Sequence, residues 1–453
     1  MNLTSDAKLA RMLLYGGSRA ERLRPALTAA GTLPATVAAL GAVTVASISG
    51  RHPYTNDLLG DPGLRPGVVT ALLLLLVPAL AFLGQCTRIG AVRRDSRLAG
   101  LRLAGATPWQ VRRIAALESG GAALAGSVAG LAVFLGLWAW AEAAEPANRR
   151  LTWPTDIPLP WLPLVAVTLA VPVLAAAATA FALRRVIAEP LTVTRRDVTR
   201  PIIQRALLWA APPVLIVGGF GVAQLAVRDG QRSLVLLATL VIGLIAVGLM
   251  LSTGAIALLI SRCLAGRTKR PALLIAAARL GQDPWAGART HGTLLLAAFI
   301  GTGFAAMWQN MLVDIHHASY GSSASFYIGG FRLTAVAIGT GLLVTAGGLA
   351  VGSAESLLTR RRQLAAQYAA GVPYRVLRRA VLLEALLPVV PAVLLASAAG
   401  FAVGTRWTPA DDSVPLLRPA LATLIVLTAA ATAAAATLPL LKRTLHPGEL
   451  RYE

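Results

Sequence analysis

The sequence predicts an all-α polytopic membrane protein with ten transmembrane helices, in which one three-span module occurs twice, at spans 2–4 and 8–10. Composition is the first reason. Of the 453 residues 56% are apolar and only 14% are charged, and a mean hydropathy of +0.66 belongs to a chain whose solvent is largely hydrocarbon. The second reason is the length of the apolar runs, which reach the about 20 residues a helix needs to cross a bilayer. The third is an internal repeat: "GATPWQVRRIAALE" (Gly105 to Glu118) and "GVPYRVLRRAVLLE" (Gly371 to Glu384) align without a gap at an offset of 266 residues.

In chain order the runs fall at residues 26–48, 66–86, 114–141, 160–183, 206–227, 233–261, 291–313, 333–357, 380–404 and 419–441. Helices are expected in all of them, because backbone polar groups in lipid must be satisfied within the segment and no run alternates like a barrel strand. Pro78, Pro172, Pro212 and Pro213 lie inside runs and are expected to kink spans rather than end them. The runs divide the chain into an amphipathic lead-in with span 1 (1–65), a first module (66–185), a linker with spans 5–7 (186–332) and a second module (333–453). Residues 1–24 are basic and mixed, and the run after them is long enough to remain as a span, so no cleaved leader is expected.

Charge sets the orientation. With the N terminus inside, the inner segments hold 33 of the 42 basic residues, against 11 of the 20 acids once those at the inner ends of spans are included. The outer loops hold the other 9 basic and 9 acidic residues, so the whole formal charge of +22 lies on one face. This is the positive-inside pattern. It places both termini in the cytoplasm, and it accounts for a basic composition that would otherwise suggest nucleic acid, so no nucleic-acid partner is expected. Cys86 and Cys263 are the only cysteines and fall at inner ends of spans, which supports neither a disulfide nor a thiolate metal site. Arginine vastly outnumbers lysine, and Ala and Gly are abundant, as in a bacterium of high GC content.

The repeat extends upstream of the two quoted stretches. At the same offset Arg94 pairs with Arg360, Leu98 with Leu364, Ala99 with Ala365, Ala104 with Ala370, Gly105 with Gly371, Arg112 with Arg378, Arg113 with Arg379 and Glu118 with Glu384. Each copy has an incoming span, a short basic helix, a glycine turn and an outgoing span. Leu98, Leu101, Gly105 and Trp109 recur near one helical face while arginines take another, the pattern of a helix lying at the membrane interface. Gly105 and Gly371 are expected to end those helices in the left-handed cap conformation, and Pro108 and Pro373 suit the first turn of the next.

These residues resemble a family. "RDSRLAGLRLAGATPWQVRRIAALESGGAALAGSVAG" is similar to the signature region of the FtsX-like (MacB-type) permeases of ABC transporters, and "AAQYAAGVPYRVLRRAVLLE" to a weaker copy of it. The ten-span layout resembles the bacitracin-export type of permease, but only about twenty residues, "DIHHASYGSSASFYIGGFR", separate spans 7 and 8, where that type carries a large outside domain. The resemblance implies a non-catalytic permease subunit of the cell membrane. Its two basic helices would dock on separate cytoplasmic ABC ATPases, two copies per chain, which bind ATP and Mg and drive export or displacement of a lipophilic or peptide substrate, antibiotics included. The docking residues it implies are Arg94, Leu98, Leu101 and Gly105 in the first copy and Arg360, Leu364, Tyr368 and Gly371 in the second.

No lysine follows a glycine anywhere, so the chain lacks a phosphate-binding loop and no cofactor of its own is expected. Arg112, Arg113 and Glu118, and in the second copy Arg378, Arg379 and Glu384, are expected to form structural charge pairs near the interface or to touch a neighbouring helix; a proton relay is the alternative for the two carboxylates. Asp314, His316 and His317 carry ligand-type side chains but lack a fourth partner, so no metal site is expected. Trp153 and Trp161, with Arg149 and Arg150, read as interfacial anchors, and the cytoplasmic stretch holding Pro271 to Leu280 reads as an amphipathic helix open to membrane lipid. The rival readings are a secondary transporter driven by ion gradients, which expects acidic residues near midplane, and a mechanotransmitting regulator of an extracytoplasmic enzyme.

Overall fold

The computed structural model describes residues 19–50, 54, 57–60, 62, 65–88, 100, 103, 105–144, 158–188, 214–216, 234–282, 284–317, 323–405 and 416–444. Every regular element among them is a helix. In order these are α1 (Arg19–Ala46), α2 (Asp57–Gly60), α3 (Arg65–Arg88), α4 (Pro108–Ala144), α5 (Trp161–Ala188), α6 (Leu234–Ala265), α7 (Pro271–Gln282), α8 (Pro284–His317), α9 (Ser323–Thr359), α10 (Arg361–Ala369), α11 (Tyr374–Gly404), α12 (Leu417–Ala436) and α13 (Leu438–Thr444). Among the described residues seven helices are long and apolar enough to cross a membrane. Apart from residues 214–216, the run at 206–227 with Pro212 and Pro213 lies outside the described residues.

Several boundaries differ from the apolar runs, and three of them have a clear physical reason. α4 and α11 start at Pro108 and Tyr374, six residues ahead of their runs, because Arg112, Arg113, Arg378 and Arg379 end the hydrocarbon but do not break the helix. The last run is interrupted at Thr437, between α12 and α13. Pro439 explains the break: it has no N–H to donate, and its ring crowds the preceding turn. Pro78 in α3 and Pro172 in α5 are interior, as are Pro25 and Pro34 in α1 and Pro388 and Pro391 in α11.

The chain divides into two compact units. One comprises Met1–Asp197 with Gly321–Val344, the other Val198–Tyr320 with Thr345–Glu453. In the first, α1 packs on α3, α4 and α5. Its contact with α4 is backbone-close: a Cβ on Gly126 would collide with Thr32 and the Ala29 carbonyl, and one on Gly130 would stand 2.9 Å from the Leu33 carbonyl. Small residues are what let two helix backbones approach in lipid, where burial supplies no driving force between helices. Polar side chains then join them: Thr32 Oγ1 donates to the Ala123 carbonyl at 3.2 Å, and the Thr36 and Ser127 hydroxyls share a bond of 2.9 Å. At the other end of α1, Arg65 is 5% exposed and donates to the carbonyls of Leu59 (2.6 Å), Ile48 (2.9 Å) and Gly60 (3.0 Å). It thereby satisfies C-terminal carbonyls of α2 and of the turn after α1, which a buried helix end requires.

The second unit repeats the joint. α8 packs on α11, where Thr302 Oγ1 donates to the Ser397 carbonyl at 3.2 Å and Gly303, Gly400 and Gly404 leave no room for side chains between the backbones. α1 and α8 thus each pack backbone-close on the long helix that follows a glycine turn, α4 and α11, which the sequence repeat alone does not reveal. α6, α7 and α12 complete this unit around α8 and α11.

Candidate functional site

α10 is a nine-residue helix between α9 and α11, carrying the sequence RRQLAAQYA. Only Leu364 and Ala365 of it are buried. Leu364 joins Leu357 of α9, Leu377 of α11 and Leu441 of α13 in one apolar cluster, against which Val372, Tyr374 and Val381 pack. Leu364, expected among the residues that meet a partner, is thus turned into the fold at 1% exposure, while Tyr368 stands 45% exposed. Arg362, Gln363 and Ala366 are exposed beside it.

The helix ends where the repeat places its glycine. Gly371 has φ 90°; its N–H reaches the Tyr368 carbonyl at 3.0 Å and the Val372 N–H reaches the Gln367 carbonyl at 3.1 Å. This is a Schellman cap, closed by an apolar residue after the glycine. Gly105 has φ 92°. Nothing approaches within 4 Å of a Cβ built on either glycine, so the backbone angle, not space, is what requires glycine there. Pro373 is the N-cap of α11 in extended conformation rather than its first helical residue. Pro108 does open α4. Ahead of it Thr107 and Gln110 form a reciprocal capping box: the Thr107 N–H donates to Gln110 Oε1 at 2.8 Å and the Gln110 N–H to Thr107 Oγ1 at 3.3 Å. That Thr-x-x-Gln signal was legible in the sequence. Of the first copy's expected docking residues, Arg94, Leu98 and Leu101 lie outside the described residues.

The charged residues of the second copy are gathered by α7 as well as by their own helices. Glu384 on α11 pairs through Oε1 with Nη1 of Arg360, at the foot of α10, and through Oε2 with Nη1 of Arg279 on α7 at 3.5 Å. Arg360 also donates to Ser356 Oγ. Arg378 and Arg379 are exposed on α11. Burial lowers the pKa of Arg279, and the Glu384 carboxylate opposes that shift. Beside these groups a cavity of about 250 Å³ is lined by Arg279, His291, Ser353, Ser356, Arg360 and Glu384, with both apolar and amide side chains completing its wall. Arg279 and Glu384 are 105 residues apart, and no spacing rule in the sequence could have joined them.

In the first copy Glu118 is 7% exposed on α4, and the Arg112 guanidinium lies 5.9 Å from the Trp109 ring centroid. The side chains of Asp314, His316 and His317 lie outside the described residues, although the backbone of that run is helical and closes α8. Trp153, Arg149 and Arg150 are also outside the described residues, whereas Trp161 opens α5 and is exposed. Among the described residues no three His, Cys, Asp or Glu side chains converge as a metal site would need.

No curated protein matches the chain. Residues 69–191, which hold most of α3, the Gly105 turn, the Thr107–Gln110 cap and both α4 and α5, match the family described as FtsX-like permease C-terminal, and this match supports a place in the FtsX-like permease family.

Proposed function

We propose that the chain is the membrane subunit of an ABC transporter, a ten-span permease with two modules, 66–185 and 333–453, each presenting one basic helix to a cytoplasmic ATPase. The single observation that carries this reading is the match of residues 69–191 to the FtsX-like permease C-terminal family. Gly371 and Gly105, in the same left-handed conformation after paired basic segments, support the two-copy arrangement. ATP and Mg would be held by the partner, since the chain has no phosphate-binding loop. Closure of the ATPase pair would move α10 and its first-copy counterpart. Each movement would pass into the outgoing span that follows, because a capped glycine turn such as the four residues Ala370, Gly371, Val372 and Pro373 between α10 and α11 leaves little slack. The substrate is a lipophilic compound, a lipid or a peptide antibiotic presented from the outer leaflet, as the short outer loops offer no polar vestibule.

In the parts of the spans that the structure describes, hydroxyls such as Thr168 and Thr179 donate to carbonyls of their own helix. This is the behaviour of packed transmembrane helices rather than of an ion path. The test is the composition of the complex purified by a tag on this chain. One permease with two Walker-motif ATPases is expected, and the isolated permease should not hydrolyse ATP. Hydrolysis by the isolated chain, or its purification with no ATPase from cells that express the neighbouring genes, would overturn the reading.

A further inference from the structure

We propose that the cavity between α7, α8, α9 and α11 binds the phosphate group of an anionic phospholipid from the leaflet that faces α10. The argument begins with charge. Within the cavity two guanidinium groups face one carboxylate, and the carboxylate gives its closer contact to Arg360. Among the described residues Arg279 makes one polar side-chain contact, to Glu384 at 3.5 Å, although its side chain is only 13% exposed. A bond of that length is marginal, and a half-buried cation so weakly matched is costly unless an anion completes it. One phosphodiester carries one negative charge and brings the set to neutrality. Arg279 also retains guanidinium N–H groups in a fork that suits phosphate oxygens.

Depth and shape point to a lipid. The span Tyr374–Gly404 is 31 residues long, whereas the hydrocarbon core needs about 20. Counted from Gly404, the core therefore ends near Glu384. His291 opens the span His291–Leu312, and Ser353 and Ser356 lie within two turns of the end of Ile328–Thr359. The polar groups thus stand at headgroup depth. The rest of the lining mixes Gln282, Gln363 and Thr437 with an apolar strip of Leu280, Leu357, Val381 and Ala434, against which the glycerol end of an acyl chain can lie. The hydroxyls of Ser353 and Ser356 and the imidazole of His291 lie on the same cavity and can donate to phosphate or glycerol oxygens. A net positive site discriminates against a headgroup that carries its own ammonium, so phosphatidylglycerol fits better than phosphatidylcholine.

The inference rests on the membrane reading and not on the ATPase partner, so capture of an ATPase, measured in the same preparation, separates its failure from failure of the transporter reading. The full chain, purified in detergent, is titrated with phosphatidylglycerol and with phosphatidylcholine of identical acyl chains and followed by native mass spectrometry. Preferential retention of one phosphatidylglycerol is expected. Arg279→Gln should weaken it about tenfold, and Ser353→Leu, which fills the cavity without altering its charge, should do the same. Arg375→Gln, on the exposed side of α11, should not. Equal retention of the two lipids by the unaltered chain would overturn the proposal whatever the variants do, as would undiminished retention by both cavity variants. Displacement of the lipid by inorganic phosphate at comparable concentration would assign the site to a soluble anion and overturn the lipid source.

Discussion

Gly105 and Gly371 stand 266 residues apart in sequence and share one backbone conformation, with φ of 92° and 90°. No other described residue except Gly50 has positive φ. The same unusual angle stands at matching positions of the two aligned stretches, so the chain enters α4 and α11 through the same left-handed glycine turn.

The first prediction follows from that angle. Valine at either glycine should cost about 1–2 kcal/mol of local strain, since a side chain with a Cβ resists left-handed backbone. Gly371→Val should lower ATPase capture several-fold while leaving the protein in the membrane, and the double variant with Gly105→Val should capture least. Capture by the double variant equal to that of the unaltered chain would remove the glycine turns from docking.

Anchoring and docking can be separated on α10. Leu364→Ala empties a buried position and should destabilise the second unit by about 2–4 kcal/mol, seen as a lower thermal midpoint in detergent. Tyr368→Ala alters an exposed side chain and should leave that midpoint within error while weakening capture of the ATPase. If Tyr368→Ala leaves capture intact, the exposed face of α10 is not the docking surface.

Glu384 should couple to Arg360. Glu384→Gln leaves two half-buried guanidinium groups sharing a neutral amide and should destabilise by about 1–3 kcal/mol. Arg360→Gln should cost less in the Glu384→Gln background than alone, because the bond is already lost. A double-mutant cycle by thermal unfolding reads the coupling, and a coupling energy of zero would contradict the ion pair.

The close joints predict strong positional dependence of glycine replacement. Gly400→Leu would drive a side chain into the Phe299 carbonyl, and Gly126→Leu into the Ala29 carbonyl; both should abolish a monodisperse peak in size-exclusion chromatography. Gly136→Leu, on the same helix as Gly126 but with nothing within 4 Å, should be tolerated.

Orientation is testable by labelling. In a background with Cys86→Ser and Cys263→Ser, cysteine at Ser18 should react only from the cytoplasm and cysteine at Ser413 only from outside. Reaction of both from the same side would require an even number of spans between them and overturn the ten-span topology.

What the sequence determined by itself was everything that depends on distance along the chain. The length of apolar runs, the clustering of arginine between them, the positions of Gly105 and Gly371 and the amphipathic α7 are one-dimensional signals, because hydrocarbon thickness, charge solvation and backbone sterics act on each segment separately. Boundaries were less legible: Pro108 and Tyr374 open their helices well before the apolar residues begin, since charge marks the interface without breaking hydrogen bonds. Only the tertiary structure could decide which segments meet. It turned Leu364 inward, gave Glu384 to Arg360 and Arg279 rather than to the arginines one to two turns before it, and set Thr32 on Ala123 and Thr302 on Ser397. In lipid apolar burial cannot select helix partners, so the choice falls to glycine-lined grooves and a few polar side chains, and their fit exists only once two backbones are already side by side.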